Sequence, residues 1–211
     1  MGRVQTFDSA VVVRAARDVF WDKGYESASV SDLEAATGIN RSSLYHAFGS
    51  KRGLFDAAVN DYLLEVIRPR LQVLADPLPD GGALLAYFEG LSAAIAGLAD
   101  DSPRRGCLLV GAATGLAGYD SSAREVVDEY RAELTGALRG ALAAASVGAG
   151  AAEARLDARA RTLASFSMSA MLLARVNRAE SLAMLTTACE QIEAWSEAQP
   201  AVAETISSSA P

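Results

Sequence analysis

Apolar residues recur at helical spacing through most of the chain. In residues 9–23, Val12, Ala15, Ala16, Val19 and Phe20 share one face. Asp8 or Ser9 can cap the start of this helix, and Gly24 ends it. Ser29-x-x-Asp32 has the form of a capping box and opens a short helix over about 30–37, which Gly38 breaks. Asn40 can cap the next short helix, about 41–47. Gly49-Ser50 breaks again, and Ser50 caps a long helix from 51 to about 74. Phe55, Ala58, Val59, Tyr62 and Val66 line one face of that helix, and Pro69 interrupts or kinks it.

The second half continues in the same manner. Residues 76–82 (DPLPDGG) are a loop, residues 83–99 an apolar helix and residues 100–103 a second loop. A glycine-punctuated apolar segment covers 106–118. A helix follows Asp120 and reaches about Ala145, with Ser122-x-x-Glu125 as its expected capping box. Residues 146–150 are a flexible break, and two helices, about 152–177 and 180–198, end the fold. Residues 199–211 are expected to be a disordered tail. No internal repeat appears.

Composition settles the class. Of the 211 residues 51% are hydrophobic but only 7% aromatic, so alanine carries much of the apolar count. With few β-branched runs, the expectation is an all-α protein. Formal net charge is −7, which taken whole argues against nucleic acid as a partner. The distribution reverses that inference. Residues 1–60 hold seven Lys/Arg and seven Asp/Glu, so the excess acid lies in the remaining 12 basic and 19 acidic residues. A neutral module can still present a basic face. Cys107 and Cys189 form no disulfide framework, the first residues lack an apolar signal core, and no uncharged apolar run spans a membrane. A soluble cytoplasmic protein without membrane contact is expected.

The three short front helices have the outline of a helix-turn-helix, with Ala36-Thr-Gly-Ile-Asn40 as the tight turn. Gly38 suits its left-handed position. Leu33, Ala36, Ile39, Leu44 and Phe48 are expected to supply the small core. The third helix carries groups suited to a major groove. Arg41 offers a planar donor fork for guanine or phosphate, and Ser42 and Ser43 are short donors. The Tyr45 hydroxyl suits a phosphate, and His46 is the single histidine. Lys51 opens the next helix, where its ammonium and free backbone N–H groups can hold a phosphate.

The stretch SASVSDLEAATGINRSSLYHAFGSKRGLF, residues 27–55, resembles the DNA-binding signature of the TetR family of transcriptional regulators. The matching positions are Leu33 and Ala36, Thr37-Gly38-Ile39, Leu44-Tyr45-His46-Ala47-Phe48 and Ser50-Lys51. The resemblance implies a helix-turn-helix domain over residues 1–50, then a helical ligand-binding and dimerisation domain over 51–198. It implies that Ser29 and Ser31 touch phosphate, that Arg41 and Ser42 face bases, that Ser43, Tyr45 and Lys51 hold the backbone, and that His46 lies at the groove. The family often has histidine where this chain has Ala47, so one phosphate contact is missing. The implied function is a homodimeric regulator, a repressor in the first instance, on a palindromic operator of double-stranded DNA, released by a small-molecule effector. Its reading helices would stand near one helical turn apart, about 34–36 Å.

The resemblance also implies a pocket among the central helices and a dimer interface from the last two. Tyr62, Val66, Phe88, Leu91, Leu108, Tyr119 and Tyr130 are compatible with a mostly apolar pocket, and each is equally compatible with plain core. Cys107, beside Arg104 and Arg105, is open between a small buried hydrophobe and a pocket thiol of lowered pKa. Phe166, Met168, Met171, Leu172, Leu182, Met184 and Leu185 are the interface candidates. No cofactor, metal cluster or nucleophile–base pair is visible, so an enzyme is not expected. The alternatives are an enzyme or a protein-binding adaptor in which the helix-turn-helix is only scaffold.

Overall fold

A computed structural model describes residues 7–76, 78, 81–145 and 153–197. The expected break at 146–150 and the tail at 199–211 lie outside the described residues, as does part of the 76–82 loop. Among the described residues all regular structure is helical. The order is α1 (Ser9–Ser27), α2 (Val30–Thr37), α3 (Arg41–Phe48), α4 (Lys51–Tyr62), a π turn (Leu63–Ile67), α5 (Arg68–Gln72), α6 (Gly82–Ala96), α7 (Leu108–Thr114), α8 (Ser121–Ala144), α9 (Glu153–Leu173) and α10 (Arg178–Glu197).

Local chemistry sets most of these boundaries. Asp8 caps α1 by accepting from Ala10 and Val11. The helical path breaks at Gly24 and resumes for one turn to Ser27. Ser29 and Asp32 form the expected reciprocal capping box on α2. Asn40 caps α3 through Ser43 N–H at 2.9 Å, and Ser50 caps α4 through Gly53 N–H at 3.1 Å. One cap differs from expectation: Asp120 takes the Ala123 N–H at 2.8 Å, so α8 is capped two residues earlier than Ser122-x-x-Glu125 implied. A carboxylate two residues upstream outcompetes the serine because its acceptor bears full charge at the helix N-terminus.

The long helix is irregular just ahead of Pro69. Regular α-helix would press the proline ring against the carbonyl of Glu65. The chain widens into a π turn over Leu63–Ile67 instead, and the Arg68 N–H reaches back to the Leu63 carbonyl.

The first three helices pack on the start of α4. Phe20, Tyr25 and Phe55 make a cluster with edge-on contacts at 5.2 and 5.0 Å. Leu33 and Leu44 are fully buried against it, with Ile39 and Phe48 half-buried; Ala36 is exposed, contrary to expectation, because it lies on the outer face of α2. α8, α9, α10 and α6 form the second layer around Phe88, Leu134, Leu138, Leu163 and Leu185. No described helix is long and apolar enough to cross a membrane.

The α3–α4 turn is tight. A Cβ on Gly53 would stand 2.0 Å from the Phe48 carbonyl oxygen. Gly53→Ala is expected to cost about 1–3 kcal/mol in a urea unfolding series; a neutral result would mean the turn has slack. The Asp32 carboxyl is held well below the usual carboxylate range by Lys23 and by Ser29. A depressed pKa stabilises above the unfolded value and is lost on acidification. The stability advantage over Asp32→Asn is therefore expected in full at neutral pH, should begin to decline as pH falls below about 4, and should be lost only as pH drops through the much lower folded value.

Candidate nucleic-acid interface and interior cavities

α3 presents its outer face to solvent. Arg41, Ser42 and His46 are exposed, and Ser43 and Tyr45 are half-buried at its flank. The Arg41 guanidinium lies over the Tyr45 ring at 5.1 Å, one helical turn away, which orders a long side chain before any partner arrives. The Glu34 carboxylate accepts the Arg41 backbone N–H at 2.5 Å and so ties α2 to the start of α3. Glu34 was missing from the sequence-based site because an acidic residue seven positions away offers no local pattern.

The phosphate candidates divide. Ser31 is exposed and its side chain makes no hydrogen bond among the described residues, whereas Ser29 spends its hydroxyl proton on Asp32 at 2.7 Å. Ser29 is thus first a helix cap. Lys51 sits over the Tyr25 ring at 4.6 Å, with its ammonium 3.4 Å from the Glu26 carbonyl. These contacts fix it at the α4 N-terminus, beside the end of α1. Among the described residues no cluster of His, Cys, Asp and Glu could hold a metal ion.

Behind this unit lie the cavities. Tyr62, Leu91, Cys107 and Tyr130 line an interior cavity with Tyr87, Arg70, Ser167 and Met171. Its volume is about 10 Å³, room for about one water. Tyr87 and Ser167 share a hydrogen bond at 3.0 Å, while the Tyr62 hydroxyl is buried with no partner. Burial pushes the Tyr62 and Tyr130 hydroxyls well above their usual pKa, with the neighbouring Cys107 thiol adding to the shift, and pushes Tyr87 up to about 12. All three stay protonated.

Two larger clefts flank the cavity. One, of about 320 Å³, runs between α1, α7 and the end of α9 and includes Leu108 and Cys107. The other, of about 250 Å³, lies between α1, the π turn and α6 and includes Val66. Phe88 is fully buried, edge-on to Tyr87 at 5.1 Å, and is core. Tyr119 corrects the expectation: it is 66% exposed, outside these cavities. It follows the short turn that ends α7, which turns its ring outward, and its hydroxyl bonds the Glu26 carboxylate of α1. Cys107 is buried.

The interface candidates also divide. Leu185 is fully buried within the subunit, and Met171 is buried and lines the interior cavity. Both point inward from their helices and cannot meet a partner. Phe166, Met168, Leu182 and Met184 are half-buried, and Leu172 is 45% exposed, next to Val176 at 80%.

Residues 12–58 match the family model described as bacterial regulatory proteins, tetR family. The HTH-type transcriptional repressor BdcR of Escherichia coli (strain K12) is 33% identical over 129 residues, 61% of this chain and 62% of that protein. The HTH-type transcriptional regulator YezE of Bacillus subtilis (strain 168) is 36% identical over 121 residues, 57% of this chain and 60% of that one. The chain thus spans less than two thirds of these curated relatives. A cysteine-substituted TetR family regulator, CifR, in complex with 26-bp double-strand operator DNA, superposes with a TM-score of 0.74 and 30% identity, covering 94% of this chain and 100% of that one.

Lys51→Ala is expected to weaken binding to double-stranded DNA of any sequence and to reduce the slope of log affinity against log salt by about one. Fluorescence anisotropy over a salt series checks it. An unchanged slope would remove Lys51 from the interface.

Proposed function

This chain belongs to the TetR family of bacterial transcriptional regulators, and from that premise we propose that it is a repressor which binds a palindromic operator as a homodimer and leaves it when a small molecule binds the helical core. The observation that carries the reading is the exposed face of α3, with Arg41, Ser42 and His46 outward and Lys51 and Tyr45 held beside it. Short polar side chains around one fork-shaped donor suit base edges, and the flanking pair suits phosphates. The likeness to an operator-bound relative at 30% identity supports the same use of this face.

The homodimer is supported by α9 and α10. Leu172 of α9 and Val176 of the turn after it are apolar and exposed, and four apolar side chains of α9 and α10 stop half-buried. An isologous pairing of the two helices with a second copy would cover them. Release requires that an effector bind one arrangement of the reading helices better than the other. The cavities and clefts between α1 and the core are placed for that, since filling them acts on the joint between the two units. Cys107, at the wall shared by the interior cavity and one cleft, is the thiol that a reactive effector would meet.

The test is anisotropy on DNA upstream of the chain's own gene at two salt concentrations. Tight, salt-sensitive binding that Tyr45→Phe/Lys51→Ala weakens by at least about tenfold is the expected result. Light scattering should give the mass of a dimer. Absence of binding at low salt, both to that DNA and to a random palindrome library, would leave the helix-turn-helix as scaffold.

A further inference from the structure

Donors without acceptors gather at one seam of the molecule. The seam is the cleft of about 250 Å³ where α1 meets the π turn, α5, the end of α6 and α9. Trp21 lines both this cleft and the one of about 320 Å³, and its indole N–H is buried with no hydrogen-bond partner. The Tyr62 hydroxyl, behind it, is in the same condition, and the two rings meet edge-on at 4.8 Å. Arg70 lines both the cleft and the interior cavity. Among the described residues no carboxylate pairs with it.

The charges in the cleft do not balance. Arg17, Arg70 and Arg104 all line it. Asp61 and Asp18 neutralise Arg17, and Asp18 also serves Arg104. Two carboxylates thus serve Arg17 and Arg104, and among the described residues none is left for Arg70. The remaining wall is apolar, from Trp21, Val66, Ile95, Leu98 and Met171. A site of unused donors and surplus positive charge selects a group that only accepts. The interior cavity holds about one water, so the space for a molecule is in the cleft. Its volume lies at the small end of ligand sites.

We propose that this cleft binds a small apolar carboxylate, its head on Arg70 and its tail against Trp21, Val66 and Leu98. The occupant sits between α1 and the π turn that continues the helix carrying α1's partner Asp61. Its carboxylate competes with Asp61 and Asp18 for the guanidiniums of Arg17 and Arg104, which hold the first unit on the core. As the signal that releases DNA, this molecule rests on the function proposed above; as a binding site it does not.

Octanoate, phenylacetate and their methyl esters, titrated calorimetrically into the full chain without DNA, test the site. Each acid should bind at least about tenfold more tightly than its ester. Arg70→Met should abolish that preference and Arg70→Lys retain part of it, with helix content and Tm close to wild type. Equal affinity for acid and ester, no binding of either acid at millimolar concentration, or a folded Arg70→Met that keeps the preference would overturn the proposal. If Arg70→Met does not fold, the acid–ester comparison in wild type and in Arg70→Lys decides. Operator anisotropy with octanoate is read separately. Binding that depends on Arg70 but leaves operator affinity unchanged would sink effector release through this molecule and leave the site standing.

Discussion

Arg17 holds a full positive charge at 6% exposure, a placement that costs several kcal/mol unless carboxylates meet it closely. Asp61 does so at 2.7 Å from α4, and Asp18 does so at 3.3 Å from its own helix. Asp18 in turn accepts from Arg104, which comes from the loop between α6 and α7. One chain of charges thus joins the linker helix, the first helix and the core. The angle at which α3 is presented follows from it, because α1 packs on both α2 and α4. Breaking one member leaves a buried charge unpaired, which is far more costly than losing an exposed pair.

The outer links around this chain are weaker and more exposed. Arg52 pairs with Asp120, Tyr119 with Glu26, and Arg175 donates to the carbonyls of Trp21, Asp22 and Arg105. The Arg175 link depends on a close approach. A Cβ on Gly106, whose φ is +75°, would stand 2.6 Å from the Met171 carbonyl and 2.8 Å from the Arg175 side chain. Only glycine lets the loop pass there and bring the Arg105 carbonyl within reach. Exposed pairs contribute about 0–1 kcal/mol each, so the joint between the two units is secured at its centre and compliant at its rim. A joint of that kind can adopt a second angle without unfolding either side.

The part of this structure legible in the sequence is the part whose causes are local. Ser29 and Asp32, Asn40 and Ser43, and Ser50 and Gly53 lie three residues apart, so caps and helices could be read directly. The outward residues of α3 were legible for the same reason: a helix of eight residues puts Arg41, Ser42 and His46 on its outer face whatever surrounds it. The joint was not legible. Arg17 and Asp61 are 44 residues apart, Arg52 and Asp120 are 68, and Arg104 and Asp18 are 86. Helical periodicity assigned neither Arg17 nor Asp18 a role. It also could not tell which apolar face of α9 and α10 turned inward, which is why Leu185 and Met171 were placed at an interface instead of in the core. Tyr119 failed for another reason: an aromatic ring after a glycine-rich turn carries no signal for inside or outside.

The geometry of the linker shows how little the joint must move. α4 has 12 residues, so it is about 18 Å long. A rotation of about 10° at its π turn would displace the far end, and α3 with it, by roughly 3 Å. In the proposed dimer both subunits move, so the spacing of the reading helices would change by up to about 6 Å, against a repeat of about 34 Å set by the duplex. That is close to two base-pair steps, enough to take one helix out of its groove when the other is seated. The π turn is where such a rotation is least costly, because its hydrogen bonds already depart from the α pattern ahead of Pro69. Val66 and Arg70, one within the turn and one just past it, face the cleft where charge is unbalanced. Chemistry in that cleft therefore acts at the short arm of the lever, and the reading helix stands at the long one.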